Sequence, residues 1–214
     1  MDTVLFDLGR VLLDWNPRYF YARYFPGDEP GLERFVTEVL SGAWIREMDA
    51  GKPAAIAIAE RSRMFPQHAH LVARWTEGWP EMLPGAIEGS VELLARLRER
   101  GHRLFALTNF SNETWPLARE RFDFLDWFEH VVVSGELGIT KPDPAIYRHA
   151  IARCRLEPEK TLFIDDMPAN VAAARALGFE AVLFTTSEQL AADLARFGFL
   201  DERDTTQVSP GNRG

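Results

Sequence analysis

The chain contains 214 residues, of which 46% are hydrophobic and 26% charged, so it can bury a full core and is long enough for a core domain with an accessory domain. Its formal net charge of -8 argues against a general nucleic-acid surface, which requires a basic face, and leaves room for a bound cation. Cys154 is the only cysteine, which excludes a disulfide framework and fits a reducing compartment.

The N-terminal sequence and the apolar runs bear on location. The first residues lack the basic region and long apolar stretch of a secretory signal. The chain has no run of about 18 apolar residues, the length that crosses a bilayer. We therefore expect a cytoplasmic monomer or homodimer that has a small-molecule substrate and neither a membrane nor a nucleic-acid partner.

The first predicted element is a strand near the N-terminus. Residues 4–6 form a continuous apolar run, which is typical of a strand covered on both faces, and the run ends at Asp7. A carboxylate at the carboxyl end of a parallel strand lies where open α/β sheets bind ligands. Alternatively, Asp7 caps a turn or a helix, and this stretch alone does not decide between the two interpretations.

Residues 14–83 contain no convincing strand. Turn-forming Pro and Gly residues separate helical patterns over residues 17–24, 31–41, 54–64 and 68–77. This arrangement predicts an all-α insertion with its own small core. We expect Trp75 to pack in that core, whereas Trp15 and Trp44, beside linkers and turns, are expected to face a ligand.

From Pro84 onward strands and helices alternate. Strands are predicted over residues 102–107, 130–133, 161–164 and 180–184. Helices are predicted over residues 86–99, 113–121, 144–155, 169–177 and 187–197. With the N-terminal strand, this alternation predicts an α/β fold in which helices cover both faces of a parallel sheet. The polar residues 201–214 are predicted to form a loosely held tail.

Polar side chains follow several of the predicted strands. They are Asp7, the pair Thr108 and Asn109, Lys141, and the pair Asp165 and Asp166 with Asn170 behind it. Each also has a plain structural interpretation, because a loop lysine is usually solvated, Asp is favoured at helix N-termini, and an asparagine can lie on a helix surface. Their joint occurrence at one edge of one sheet favours an active site.

The same residues carry a resemblance to the haloacid dehalogenase-like hydrolases. The four motifs of that family are matched by residues 6–12 (Phe-Asp-Leu-Gly-Arg-Val-Leu), 107–109 (Leu-Thr-Asn), 141–142 (Lys-Pro) and 163–170 (Phe-Ile-Asp-Asp-Met-Pro-Ala-Asn). The resemblance extends to about Phe199. It implies a five-stranded Rossmann-like core over residues 1–13 and 84–200, a mobile all-α cap over residues 14–83, and a tail over residues 201–214.

The resemblance implies catalytic roles for four residues. Asp7 would be the nucleophile and would form an aspartyl ester or acyl phosphate, which divides one difficult displacement into two easier ones. Lys141 would offset the negative charge of the substrate. The Thr108 hydroxyl and the Asn109 backbone amide would donate hydrogen bonds to the transferring group.

A Mg²⁺ cofactor is also implied by the resemblance. Its ligands would be Asp7, the backbone carbonyl of Gly9 and Asp166, a sparse set of oxygens that suits an ion which keeps several waters. Asp165 and Asn170 would orient the metal ligand and Lys141.

One position departs from the family pattern. Family phosphatases usually carry a second aspartate two residues after the nucleophile, which transfers protons at the reacting oxygens, and here that position is Gly9. The sequence Asp-Leu-Gly-x-Val nevertheless resembles a branch that includes sugar-phosphate phosphatases. Because general acid–base help is typically worth about 10² to 10⁴ in rate, we expect slow turnover or good leaving groups. Asp14 is either a replacement acid or a structural linker residue.

The preferred prediction is a Mg²⁺-dependent phosphatase acting on a small, sugar-phosphate-like metabolite. A metal-independent carbon–halide hydrolase of the 2-haloacid dehalogenase type is one alternative, although such enzymes usually have an aromatic residue in place of Gly9 and Ser and Asn in place of the acidic pair. A non-catalytic phosphate-binding or regulatory protein is another. The candidate substrate-binding residues are Arg10, Asp14, Trp15, Asn16, Trp44 and Arg46.

Overall fold

The computed structural model describes residues 1–201, and a five-stranded parallel sheet lies at its centre. The strands in chain order are β1 (Thr3–Phe6), β2 (Leu13–Asp14), β3 (Gly85–Ala86), β4 (Arg103–Thr108), β5 (His130–Val133), β6 (Thr161–Asp165) and β7 (Glu180–Leu183). The main sheet has the order β5-β4-β1-β6-β7, and all its neighbours pair in parallel. The predicted α/β fold is therefore confirmed.

The central strand β1 is buried on both faces, which explains its continuous apolar sequence. Val4 and Phe6 join the hydrophobic cluster on one side of the sheet, whereas Leu5 joins the cluster on the other side with Phe105 and Phe163. Leu5 pairs in register with both phenylalanines. The carboxyl ends of β1, β4 and β6 consequently lie side by side.

The chain between β2 and β3 is helical. Its α-helices are α1 (Arg18–Tyr21), α2 (Glu29–Arg34), α3 (Gly42–Asp49), α4 (Ala54–Met64), α5 (Ala69–Val72) and α6 (Trp75–Met82), with 3₁₀ turns at Ala22–Tyr24 and Pro66–His68 and a π turn at Phe35–Val39. A separate hydrophobic cluster lies among them and includes Phe20, Tyr21, Phe35 and Trp44. We call residues 14–83 the cap segment.

Two features of the cap segment differ from the predicted helices. The sequence pattern does not predict α3, because Gly42 and the Pro- and Gly-containing turn at residues 49–53 resemble a loop. Helix α3 nevertheless forms, with Trp44 and Met48 buried one turn apart and the Ser41 hydroxyl accepting the backbone N–H of Trp44 at its N-terminus. The helix predicted over residues 68–77 is divided into α5 and α6.

Helices cover both faces of the main sheet. They are α7 (Glu88–Glu99), α8 (Trp115–Arg121), α9 (Ser134–Leu137), α10 (Pro144–Cys154), α11 (Pro168–Ala176) and α12 (Ser187–Arg196), with 3₁₀ turns at Asp123–Trp127 and Pro158–Lys160. Buried residues of α7, α8 and α12 join the cluster that contains Val4 and Phe6. Buried residues of α10 and α11 join the cluster that contains Leu5.

A small antiparallel ribbon connects the cap segment to the sheet. Leu13 pairs with Ala86 and Asp14 pairs with Gly85, so β2 and β3 carry both crossings of the chain. Arg121 of α8 donates hydrogen bonds to the carbonyl groups of residues 80, 83 and 84 beside the second crossing. The predicted boundaries at 13/14 and 83/84 fall in or beside this ribbon, and the division into core and cap remains a prediction.

Two sequence predictions concern the ends of the chain and the membrane. Apart from Asp201, which pairs with Arg100, the predicted tail over residues 201–214 lies outside the described residues. Among residues 1–201, none of the helices combines the length and the apolar character needed to span a bilayer.

Candidate active site

The parallel register brings three sequence-predicted residues to one edge of the sheet. Asp7 directly follows β1, Thr108 ends β4 and Asp165 ends β6. Phe6 pairs with Ala106 on one side and Ile164 on the other, so Asp7 and Asp165 are the next residues of their strands and Thr108 lies one residue further along β4.

Lys141 lies at the centre of this group. Its Nζ atom is 2.9 Å from Asp7 Oδ1 and 2.7 Å from Asp165 Oδ2, and it donates a 2.8 Å hydrogen bond to the carbonyl of Leu107. Burial by itself lowers the pKa of Lys141, but Asp165 and Asp7 outweigh this effect and the net pKa is raised. The Lys141 side chain is only 1% exposed, so the solvated interpretation is wrong.

Asn109 holds Lys141 in place with its side chain. Its Oδ1 atom accepts the backbone N–H of Lys141 at 2.8 Å, and its Nδ2 atom donates to the Lys141 carbonyl at 3.1 Å. The sequence motif implies a role for the Asn109 backbone amide and does not indicate this side-chain clamp. The clamp fixes a loop residue that is 32 positions distant in the chain.

Asp165 is fully buried, and both of its carboxylate oxygens accept hydrogen bonds. Its Oδ2 atom accepts from Lys141, and its Oδ1 atom accepts from the side chain of Asn170 at 2.9 Å and the backbone N–H of Met167 at 2.8 Å. Asn170 is itself buried, so the surface interpretation of Asn170 is wrong. With three donors on two oxygens, Asp165 is arranged to orient Lys141.

Asp7 has one engaged and one open carboxylate oxygen. Oδ1 accepts the backbone N–H of Leu8 at 2.7 Å and contacts Lys141, whereas Oδ2 has no hydrogen bond with any residue in the range 1–201. Burial raises the pKa of Asp7 to about 7, although the positive charge of Lys141 opposes the shift. The open oxygen is the group available for attack or for metal binding.

Asp166 lies beside Asp7, and the site fits a divalent cation. Carboxylate oxygens of Asp7, Asp165 and Asp166 lie within 4.8 Å of one another, and such oxygens are the ligands that Mg²⁺ prefers. Because both oxygens of Asp165 already accept hydrogen bonds from protein donors, Asp7 and Asp166 are the better candidates to bind an ion. Burial raises the pKa of Asp166, and the nearby Arg10 opposes that shift.

Arg10 contacts this acidic group from the solvent side. Its Nε atom is 3.5 Å from Asp166 Oδ2, and its side chain is 64% exposed. The backbone of Arg10 has φ 61°, a left-handed conformation that is uncommon for a residue with a side chain. In this structure Arg10 pairs with the acidic site.

The Thr108 hydroxyl is buried without a partner. Among the described residues, its Oγ1 atom is the one buried side-chain oxygen or nitrogen that has no hydrogen bond. A buried, unsatisfied hydroxyl costs roughly 1–3 kcal/mol, so this atom is poised to bind a ligand oxygen.

A cavity of about 150 Å³ lies between this edge of the sheet and the cap segment. Gly9 and Asn109 line it from the sheet, and α3, α4 and α6 line it from the cap. Most of its wall is apolar: Trp15, Ile45, Met48, Trp75, Trp79, Leu83, Phe110 and Leu117. Within residues 1–201, this wall contains no lysine and no arginine.

The tryptophans only partly follow the prediction. Trp15 lines the cavity as expected, and so does Trp75, which was expected only to pack. Trp44 is a correction: it is buried in the cap cluster, where its indole Nε1 donates to the Ala57 carbonyl at 3.1 Å and its ring packs against Trp75. The cause is α3, which turns Trp44 away from the cavity.

The remaining candidate residues also lie away from the cavity wall. The Asp14 carboxylate accepts hydrogen bonds from the Tyr19 hydroxyl, which agrees with its structural interpretation. The Asn16 side chain accepts the backbone N–H of Arg18. Arg46 is exposed on α3. None of these three residues is among those that line the cavity, and their part in substrate binding stays a prediction.

The structure adds one residue that the sequence pattern did not single out. Asp49, the last residue of α3, lines the cavity. Burial raises its pKa to about 7, while Arg46 and Lys141 pull the pKa down. In the sequence it is one polar residue of a turn rich in Pro and Gly, so no local pattern indicates its position.

The fold is a parallel α/β sheet with an inserted helical segment, and its buried acidic and basic side chains gather at the carboxyl edge of that sheet. A family model described as "Hydrolase: haloacid dehalogenase-like hydrolase" matches residues 1–178, and the chain belongs to this family. The resemblance inferred from the four motifs is confirmed.

Three relatives illustrate what the chain is similar to. Phosphoglycolate phosphatase from Nitrosococcus oceani is 38% identical over 102 residues, which are 47% of this chain and 43% of that protein. Sesquiterpene phosphatase astK from Aspergillus oryzae is 26% identical over 86% of this chain and 90% of that protein. The HAD family enzyme bt-2542 from Bacteroides thetaiotaomicron, solved as a complex with magnesium and inorganic phosphate, has a TM-score of 0.63 at 20% identity and covers 86% of this chain and 94% of its own.

These matches differ in extent. The chain spans less than half the length of the phosphoglycolate phosphatase, and the likeness to bt-2542 concerns the fold. The phosphatase relatives support a phosphoric monoester hydrolase.

Proposed function

We propose that this chain is a Mg²⁺-dependent phosphatase that hydrolyses small monophosphate esters through an aspartyl-phosphate on Asp7. The observation that carries the proposal is the open Oδ2 atom of Asp7, which lies beside the buried Lys141 and the acidic group of Asp166. Nearby, the unpartnered Thr108 hydroxyl supplies a donor for a phosphoryl oxygen.

The reaction would proceed in two displacements at phosphorus. Asp7 Oδ2 attacks the phosphorus, the ester P–O bond breaks, and the alcohol leaves. Water then attacks the same phosphorus, the acyl P–O bond breaks, and inorganic phosphate leaves while Asp7 is regenerated. Lys141 offsets negative charge throughout, and Thr108 and the Asn109 backbone amide donate hydrogen bonds to the phosphoryl oxygens.

The donor set fits Mg²⁺. Asp7, Asp166 and the backbone carbonyl of Gly9 would hold the ion, and when bound it would neutralise charge on the phosphoryl oxygens. Asp165 and Asn170 support this arrangement indirectly, because they fix Lys141 and leave the other two carboxylates free.

The cavity supports an apolar alcohol in preference to a sugar. Aromatic and aliphatic side chains form most of the wall, and the absence of Lys and Arg among the described lining residues leaves a second anionic group on the substrate without a partner. Burial of apolar surface is worth about 25 cal/mol per Å², so a prenyl or aryl monophosphate gains more here than a sugar phosphate. The sesquiterpene phosphatase relative is consistent with this choice.

A compact set of assays tests the proposed reaction. Purified protein is incubated with p-nitrophenyl phosphate, with and without Mg²⁺ and EDTA, and separately with L-2-chloropropionate while chloride is followed. Metal-dependent phosphate release that disappears in Asp7→Asn, with the fold retained by circular dichroism, is expected. Chloride release without metal would instead favour the dehalogenase alternative, and an active Asp7→Asn variant would refute the nucleophile.

The substrate class needs a second comparison. The kcat/KM of geranyl or phenyl phosphate is measured against that of glucose 6-phosphate and 2-phosphoglycolate. We expect the apolar esters to be preferred at least tenfold, which corresponds to about 1.4 kcal/mol of transition-state binding. A higher kcat/KM for glucose 6-phosphate or for 2-phosphoglycolate would overturn the assignment of an apolar alcohol.

A further inference from the structure

The site lacks a proton donor at the position where the family usually has one. Gly9 has no side chain, and a Cβ atom built at this residue would meet nothing within 4 Å. The space is therefore open. An alkoxide leaving group needs a proton as its bond to phosphorus breaks, so a group on another element has to supply it if esters of ordinary alcohols are substrates.

Asp49 and Glu113 are the carboxyl groups that line the cavity with Gly9 in the described part of the chain, and Glu113 is engaged by the backbone N–H of Ala54. Asp49 lies at the C-terminal end of α3 and lines the same cavity as Gly9 and Asn109. No residue in the described part of the chain forms a hydrogen bond or an ion pair with its carboxylate. By contrast, Asp14, the replacement acid considered from the sequence, is engaged by Tyr19.

Contacts with the sheet domain fix the turn that carries Asp49. The Ser134 hydroxyl donates a 2.6 Å hydrogen bond to the Asp49 carbonyl. Two residues later, Gly51 has φ 88° and packs so closely that an added Cβ would lie 3.0 Å from the Gly135 carbonyl oxygen. These contacts hold the end of α3 against the edge of the sheet.

A third contact fixes the chain beyond the turn. The Glu113 carboxylate accepts the backbone N–H of Ala54, the first residue of α4, at 3.1 Å. The turn is therefore bound to the sheet domain on both sides of Gly51. With the turn held in this way, the Asp49 carboxylate stays in the cavity above the reacting edge.

We propose that Asp49 is the acid–base residue that replaces the missing aspartate at position 9, an inference that rests on the proposed phosphatase function. In the first displacement the Asp49 carboxylic acid gives its proton to the ester oxygen as Asp7 forms its bond to phosphorus. In the second displacement the Asp49 carboxylate accepts a proton from the attacking water. One water and one ester thus give one alcohol and one phosphate.

The electrostatic surroundings suit a group that must exist in both protonation states. Burial raises the pKa of Asp49 to about 7, opposed by Arg46 on its own helix and Lys141 from the sheet domain. Glu113, which faces the same cavity, is the other charged side chain on its wall. A catalytic pKa near the working pH gives the best balance between proton donation and acceptance.

The test compares Asp49→Asn with the unchanged protein across leaving groups. The release of alcohol in the first turnover is measured for p-nitrophenyl, phenyl and benzyl phosphate, since this step isolates ester cleavage from hydrolysis of the intermediate. We expect a loss of about 10² to 10⁴ with benzyl phosphate and a much smaller loss with p-nitrophenyl phosphate, whose leaving group needs no proton. With p-nitrophenyl phosphate the variant should also show a burst equal to the enzyme concentration, followed by slow turnover.

Glu47→Gln is the matched control. It makes the same change from carboxylate to amide on the exposed side of α3, where Glu47 pairs with Lys52, and it should leave the dependence on leaving group unchanged. If Asp49→Asn lowers all three first-turnover rates equally, or none of them, the acid–base assignment is overturned. Failure of the phosphatase proposal is separate, because the unchanged protein would then show no Asp7-dependent phosphate release at all.

Discussion

The raised pKa of Asp49 has a consequence for stability that needs no substrate. The pKa of Asp49 is about 7 in the folded chain and about 3.8 in the unfolded chain. Between these two pH values the carboxyl group is therefore protonated in the folded chain and ionised in the unfolded chain. The folded state then binds more protons, so stability falls as pH rises through this window. Below pH 4 both states are protonated and the penalty is absent.

The size of this penalty follows from the shift. A difference of roughly 3 pKa units corresponds to about 4 kcal/mol at 1.36 kcal/mol per unit, an upper value because Asp49 faces an open cavity. Asp49→Asn removes the titrating group. Relative to the unchanged protein, the variant should gain little at pH 4 and up to about 4 kcal/mol at pH 8. For a domain of this size, that gain raises Tm by up to roughly 8–16 °C.

The assay is urea denaturation of both proteins at intervals between pH 4 and pH 8, in EDTA so that metal binding does not contribute. Only the part of the difference that changes with pH is used, because the amide also alters local contacts by a constant amount. Asp7 titrates in the same range, but it is present in both proteins and cancels in the difference. A stability difference that stays constant from pH 4 to pH 8 would show that Asp49 ionises normally in the folded protein.

Three further substitutions test the sheet edge. Lys141→Met leaves Asp7 and Asp165 buried without their cation, so it should lower the free energy of unfolding in urea by about 3–5 kcal/mol. A loss below about 1 kcal/mol would show that the two ion pairs of Lys141 contribute little to stability. Thr108→Val removes an unsatisfied buried hydroxyl, so it should raise the free energy of unfolding by about 1 kcal/mol or more. It should also weaken inhibition by inorganic phosphate. Unchanged phosphate inhibition would exclude Thr108 as a phosphoryl ligand. In the Asp49→Asn background, Gly9→Asp has room for its side chain and should restore turnover of benzyl phosphate more than that of p-nitrophenyl phosphate. Equal effects on both substrates would contradict the missing-acid argument.

The sheet and its reactive edge could be predicted because both are encoded locally. A short apolar run followed by Asp7, and another followed by Asp165, specify two buried parallel strands that end in carboxylates. Once the strands are parallel neighbours, geometry places their ends together without further information. The motifs were therefore sufficient to identify Asp7, Lys141 and Asp166 as one group.

The roles of the loop residues needed coordinates. Asn109 acts on Lys141 through its side chain, and this contact depends on the path of a loop 32 residues further along the chain. Asn170 similarly reaches Asp165 only because α11 begins directly behind β6. Spacing in the sequence indicates that such residues belong to one motif, but not which atom each one uses.

The cap segment was hardest to interpret because its helices are short and their faces are set by packing with one another. Trp44 and Trp75 have the same side chain and both lie on helices, yet the first is enclosed in the cap cluster and the second also reaches the cavity. Neither outcome can be derived from helical spacing, since isolated helices of about eight residues are not stable without tertiary contacts.

The proposed role of Asp49 depends on such tertiary contacts. Helix α3 alone does not fix Asp49 against the sheet. The contacts from Ser134, from Gly135 to Gly51 in the turn, and from Glu113 to Ala54 do so. If the cap moves away, the same contacts break and the carboxylate leaves the reacting edge. Under the proposed role of Asp49, proton transfer therefore requires the cap segment to be seated on the sheet, which would couple any cap opening to the acid–base step.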